Sequence, residues 1–525
     1  MAAPTALNPR NQTHEDTVAP VSDHSAAPEV QEQTRTRRLF SFPQLFAFAV
    51  IYFSTWTGLG ANMYFALLNG GHAAFLFNFI ITSMGALAQA LTLSELASIL
   101  PLAGAQYYWT FHLAPKKHRK LLTWLSGWAT WIGYISALAG VVNTTVFMYE
   151  AAIRINNPEY IGDGWRTPVL GMVILALLTG LNVWAFNLVP WFELVVGILN
   201  IVFFFLTVVV LWVMSPRNPT SILVTTEPSS EWSNDFISWN VGLLTSVWMF
   251  AGLEGVVHMG EETKNSRETA PRAMIWGIAT NGILGIVIII TLLICMPPLQ
   301  DVLASPYPFF YLIETSTGSK SVTTVLAIGI CIINTGCCLS MYASSTRLTW
   351  AWARDGGLPC WFGHVHGTRR VPVRAVLLTF GLAALLILLN LNSTNFVALG
   401  AITSLSSFAL YFSYAIILSV TIHVRMTTGL RHDSWNIGRF GMPVNIYALV
   451  WTLYAMIWLP FPTEVPVTAM TMNYSGPVFG IAMAIVTGGW FAWAKANWAG
   501  PNPAVVACVL AAECAAEVGS RSGSA

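Results

Sequence analysis

Two long apolar stretches of this chain are each interrupted at a matching place, and this restricts the fold more than any other feature. The first, at 45–68, is broken by Ser54-Thr55-Trp56-Thr57-Gly58-Leu59-Gly60. The second, at 239–260, is broken by Phe250-Ala251-Gly252-Leu253-Glu254-Gly255. The two stretches begin five apolar runs apart, so they would cross a bilayer in opposite directions. Backbone can unwind at membrane depth only where protein buries it or where it lines a cavity. Glycine-interrupted spans in corresponding positions of two inverted halves point to a midplane solute site.

Composition fixes the class. Of 525 residues, 55% are hydrophobic and only 9% charged. A soluble domain carries roughly a quarter charged residues. Apolar runs long enough to span, about 20 residues each, recur almost end to end. About twelve are expected, the sixth at 239–260 and the last at 475–495. The expected product is an all-α polytopic membrane protein, with residues 39–498 as its membrane domain. Residues 1–38 are polar and read as a disordered tail; 499–525 read as a second tail. The 22 tryptophans suit a long membrane–water boundary.

Basic residues set the expected orientation. With both tails inside, only Arg154, Arg166, Arg217 and Lys320 fall outside. The others lie inside or at inner span ends, with clusters beside spans at 116–120, 264–272, 354–374 and 425–439. This bias predicts cytosolic termini. Net charge is +1, and short basic runs against spans do not read as a nucleic-acid surface. Asn392-Ser393-Thr394 and Asn473-Tyr474-Ser475 are glycosylation sequons in short outer loops, where modification is not expected. The seven cysteines form no disulfide framework; Cys508 and Cys514 lie in the tail. No metal-binding, nucleotide-binding or nucleophile-elbow motif occurs, so neither catalysis nor a cofactor is expected.

A helix that stops mid-membrane leaves bare N–H groups on one half and bare C=O groups on the other. Gly58 and Gly60 are expected to offer N–H groups to a carboxylate, and carbonyls near Phe250, Ala251 and Gly252 to accept from an ammonium. Thr55 and Thr57 add hydroxyls, while Trp56 and Phe250 offer rings to close over a solute or stack on a quaternary amine. Glu254 is the most expensive residue here, since a mid-span carboxylate costs about 2.5–3.5 kcal/mol on insertion scales. Its expected roles are attraction of an amino group or titration during transport. His258, one turn on, shares its face. It is a second candidate for proton coupling, although a structural histidine is the commoner use. Glu95, Glu150 and Glu193 lie near span ends and receive no solute role; Glu193 sits in a first turn, where an acid suits the macrodipole.

Three stretches then carry a resemblance. Glu95-Leu96-Ala97-Ser98-Ile99-Leu100-Pro101 precedes Gln106-Tyr107-Tyr108-Trp109; His258-Met259-Gly260-Glu261-Glu262-Thr263-Lys264-Asn265 precedes Pro271-Arg272-Ala273; and Ala353-Arg354-Asp355-Gly356-Gly357-Leu358-Pro359 follows the eighth run. Over about 40–500 the chain resembles the amino acid–polyamine–organocation superfamily, and within it the fungal amino acid/choline/GABA permeases. The resemblance implies a ten-helix core of two inverted five-helix repeats plus two further helices. It implies import of a small amine or amino acid across a plasma membrane, usually with protons, with the vacuolar membrane as the other location. It maps binding onto 55–60 and 250–254, and an inner gate onto Glu261, Glu262 and Arg272. The fifth span lacks the lysine that serves some relatives as a cation surrogate. A non-transporting nutrient sensor and a polyamine carrier or exchanger stay open as alternatives.

Overall fold

The computed structural model describes residues 38–507 apart from 161, 163, 392–394, 431–434 and 469–470. The N-terminal tail, Cys508, Cys514 and the Asn392 sequon therefore lie outside the described residues. Helices α1 (Phe42–Phe53), α2 (Thr55–Leu68), α3 (Gly71–Ile99), α4 (Gln106–Leu113), α5 (Arg119–Asn156), α6 (Arg166–Trp184) and α7 (Val189–Met214) form the first half. The second half begins with α8 (Asp235–Val241), α9 (Leu243–Trp248) and α10 (Ser266–Ile294). It continues through α11 (Leu299–Ala304), α12 (Pro308–Thr317), α13 (Lys320–Arg354), α14 (Val373–Ile387) and α15 (Asn395–Thr427). Helices α16 (Gly441–Trp458) and α17 (Ser475–Gly489) follow both halves.

Ten helices among the described residues are long and apolar enough to cross a membrane. The remaining two crossings are the broken ones, α1–α2 and the stretch from α8 through α9 to Gly260. Together they give the twelve crossings expected. The outer helices show why the chain needs lipid. On α7, Val195, Ile198, Val202, Phe205, Val209 and Val213 are exposed at helical spacing, while Val196, Gly197, Asn200, Phe204, Thr207 and Leu211 are buried. An apolar face of that kind is stable only against hydrocarbon.

The halves interlock as inverted repeats should. Helix α3 packs on α10 and α5 on α13, which joins the second crossing to the seventh and the third to the eighth. The two broken crossings run antiparallel. Phe40, just before α1, bridges to Thr263, whereas Asn62 of α2 accepts from Thr245 of α9 at 2.9 Å. One end of the bundle thus holds Phe40, Thr263 and the basic clusters, and is called the basic end below. Small residues let α1 sit close to its neighbours: a Cβ on Gly277 of α10 would come within 2.7 Å of Ala49, and one on Gly197 of α7 within 3.1 Å of Ala47.

Candidate solute site between the broken crossings

The first break is shorter than the sequence implies. Ser54 alone leaves the helical path, with φ 39° and ψ 43°, the left-handed region. It ends α1 and starts α2 at once. Thr55 through Gly60 are therefore helical. The Gly58 N–H, expected to be free, donates to Ser54 O at 3.0 Å, and Gly60 packs against the Phe309 ring.

Other helices satisfy most of what the break exposes. Asn281 of α10 spans it, donating to Val50 O at 3.3 Å and accepting from Thr55 N at 3.2 Å. The Cys337 thiol donates to Tyr52 O at 3.1 Å. Trp56 does not close over a solute: it points away from the centre and donates to Asn200 Oδ1 at 2.7 Å. Thr57 donates back to Ser54 O at 2.8 Å. Sequence reading missed Asn281, Asn200 and Cys337 because nothing local marks them.

The second break is longer. Turns replace helix from Met249 to Val256. Gly252 takes φ +75°, which side-chain-bearing residues rarely adopt. Phe250 is fully buried, with its ring stacked on Phe79 at 5.6 Å. Glu254 is fully buried and turns into the protein. Its carboxylate accepts from Tyr134 OH at 3.0 Å, and from Gln106 Nε2 and Tyr414 OH. Tyr414 OH also accepts from Leu253 N at 3.2 Å, and Ser344 donates to Gly255 O at 2.9 Å. Glu254 thus holds α4, α5 and α15 against the unwound segment. His258 Nε2 lies 3.8 Å from Glu254, while its Nδ1 faces Ala103 O at 2.6 Å.

Between the two breaks lies a cavity of about 30 Å³, room for a water or two. Of the residues expected to bind solute, Gly58 and Ala251 line it; Thr55, Trp56, Thr57, Gly60, Phe250, Gly252 and Glu254 do not. Its walls are the aromatic rings of Tyr52, Phe53 and Trp248 and the thioethers of Met249 and Met341. Its polar groups are Asn62, Thr144 and Asn334. The Asn62 and Asn334 amides spend a donor on helix carbonyls, at 2.9 Å each, and present further polar capacity to the cavity. No lining residue carries a formal charge.

The basic end is closed in layers. Arg354 makes a double contact with Glu261 at 3.0 and 3.1 Å and lies over Trp350. Arg347, buried on α13, meets Glu262 at 3.2 Å and caps the Phe186 ring at 3.8 Å. Tyr107 OH donates to Asp355 at 2.7 Å. Burial pushes the Asp355 and Glu262 carboxyls above their usual range, with Arg354 and Arg347 opposing the shift. Of the residues expected at an inner gate, Glu261 and Glu262 therefore sit in these buried ion pairs, but Arg272 does not. It faces solvent and, among the described residues, pairs only with Glu268, at 3.7 Å on its own helix. The partners are Arg354 and Arg347, which lie on α13, far along the chain from the Glu261-Glu262 motif.

At the opposite end a vestibule of about 500 Å³ opens, lined by Ala151, Arg154, Asp301, Tyr307, Phe310 and Glu314. Beneath it a pocket of about 20 Å³ touches Ala61, Phe147, Met148, Phe309 and Phe310. One face of α5 passes every space in turn, from Ala151 through Phe147 to Thr144 and Val141. Asn473, the described sequon, is buried and donates to Leu459 O and Ser404 Oγ. Its amide nitrogen is not presented for modification.

Residues 40–485 match the model of the amino acid permease family. A protein of Macrophomina phaseolina, provisionally named an amino acid/polyamine transporter, is 28% identical over 444 residues, covering 82% of this chain and 96% of the relative. The choline transporter of Saccharomyces cerevisiae is 25% identical over 480 residues, covering 89% and 84%. Amino-acid permease 2 of Neurospora crassa is 27% identical over 483 residues, covering 89% and 86%. The broken crossings, the twelve-crossing bundle and the matched span agree, and the chain belongs to the amino acid permease family of the amino acid–polyamine–organocation superfamily.

Proposed function

We propose that this permease imports a small amine or amino acid, of the amino acid, GABA or choline class, by proton-coupled alternating access. Both termini face the cytosol, so the basic end is the inner end, and the membrane is the plasma membrane. The solute occupies the cavity between the breaks once the bundle opens to admit it. One observation carries this reading: two antiparallel broken crossings meet at an uncharged cavity, sealed toward the basic end and lying beneath a vestibule at the other.

The lining explains the solute class. Aromatic faces attract a cation without a counter-charge, and amide oxygens accept from an ammonium. A carboxylate is served by the positive end of α2. Thr55, Trp56 and Phe250 shape this wall from behind. Glu254 acts by holding the unwound strand in register, with His258 as its neighbour. The relatives named for choline and for amino acids are consistent with both solute types.

The test is uptake into vesicles from cells expressing the full chain, with labelled choline, GABA, polyamines and amino acids as probes. Saturable accumulation that collapses with a protonophore supports the reading. Binding of a probe without flux would instead make the protein a sensor.

A further inference from the structure

Glu193 is an anomaly that the solute site does not use. It lies in the second turn of α7, is fully buried, and neither carboxyl oxygen has a hydrogen-bond partner among the described residues. Every other carboxylate near the core has a donor: Glu95 has Arg425, Glu254 has Tyr134, Glu261 has Arg354 and Glu262 has Arg347. An unpaired carboxylate in such surroundings is far more costly than the neutral acid.

Among the described residues no charged neighbour relieves it. Helix α1 carries no charged residue, nor does the Phe186–Leu188 turn. Helix α13 places Ser340 and the Cys337 thiol beside it. Ser340 donates to Gly336 O at 3.2 Å, however, and Cys337 to Tyr52 O. On α10, Arg267, Glu268 and Arg272 lie in the first two turns, and Arg272 pairs with Glu268 in solvent. Glu314 of α12 is exposed.

Its position matters as much as its isolation. Cys337, which lies beside Glu193, also lines the central cavity. On the other side α1 covers it: Gly197, one turn on, approaches Ala47. The start of α1 is tied to the inner seal, because Leu39 N and Phe40 N both donate to Glu262 O, at 2.8 and 3.1 Å. The Glu262 backbone thus holds the start of α1 while its carboxylate holds Arg347, so the start of α1 would move with Glu262 when that pair parts.

We propose that Glu193 is the site that carries the coupling proton, which deepens the carrier reading and rests on it. The acid takes its proton from water in the cavity while the inner seal is shut. It releases that proton to cytosolic water when α1 swings away. Glu254, held by three donors, keeps its own hydrogen bonds throughout.

The test uses the full chain in proteoliposomes, with whichever of labelled choline, GABA or amino acid the wild type takes up. A gradient of one pH unit should drive wild-type accumulation of up to about tenfold for one proton. Glu193→Gln, shaped like the neutral acid, should retain probe exchange yet equilibrate without accumulating. Glu193→Asp should restore part of the accumulation. Gradient-driven accumulation by Glu193→Gln equal to wild type overturns the proposal. Failure of that variant to fold also overturns it, because the resident form would then be the charged one. A wild type that moves no probe overturns the carrier reading itself.

Discussion

Tyr134 donates to the Glu254 carboxylate at 3.0 Å, and that bond joins α5 to the unwound segment following α9. Tyr414 of α15 and Gln106 of α4 donate to the same group. Three elements distant in sequence therefore grip one side chain where the crossing is held by turns, such as Gly255 N to Gly252 O at 2.9 Å, and not by a continuous helix.

Removing one of these donors should be felt directly. A hydrogen bond to a charged group is worth about 1.5–3 kcal/mol. Tyr414→Phe should lower the melting temperature and cut transport about tenfold or more. Wild-type melting and uptake in this variant would show that Glu254 does not organise the break.

Asn281 bridges both sides of the first break. Asn281→Ala leaves the Thr55 N–H without that partner at membrane depth, while Val50 C=O keeps the Ser54 N–H at 3.1 Å. The orphaned N–H costs about 1–3 kcal/mol. We expect lower thermal stability and faster amide exchange at 50–55 than in α3. Asn281→Asp keeps the acceptor for Thr55 and should be milder. Equal effects from the two would contradict the bridging role.

The seal predicts an asymmetry between single and paired changes. Arg354→Ala strands Glu261, and breaking a buried pair costs about 3–5 kcal/mol. The basic end should then open more often, and Cys337 should react faster with a thiol reagent applied from that side. Replacing both partners, Glu261→Gln with Arg354→Met, should recover most of the protection. Additive effects in that cycle would rule out a direct pair.

Acidity should strengthen the seal. Burial raises the Asp355 and Glu262 carboxyls above their usual values. Below the usual carboxylate range, sealed and opened forms both hold these protons, and the contribution to sealing is complete. As pH rises from that range through the raised values, the opened form loses its protons first and gains ground. Hydrogen exchange across 257–263, corrected for intrinsic rates, should show easier opening at neutral than at acidic pH. The opposite trend would mean that the arginines outweigh burial.

Much of the fold was legible because hydrocarbon imposes a simple code. The crossing at 239–260 was visible as an apolar run, and its break was visible because Gly252 and Gly255 flank Leu253-Glu254. The first break was placed too far along. Its glycines, Gly58 and Gly60, serve close packing, and the residue that leaves the helix is Ser54, which carries no glycine signal. Arg272 looked like a gate residue because its motif is basic, yet helical phase turns it to solvent. Glu193 looked like an ordinary first-turn acid, since nothing local reveals that its neighbours have already donated elsewhere.

The sequence by itself determined that this chain lives in a membrane, how many times it crosses, and where two crossings weaken. Those properties follow from hydropathy and local backbone preference, which act over a few turns. Only the tertiary structure decided which side chains complete the broken helices and which ones shut the basic end. Thr55 finds Asn281 and Glu262 finds Arg347 across 226 and 85 residues of chain. Helix rotation decides such pairings, and rotation is set by packing against neighbours.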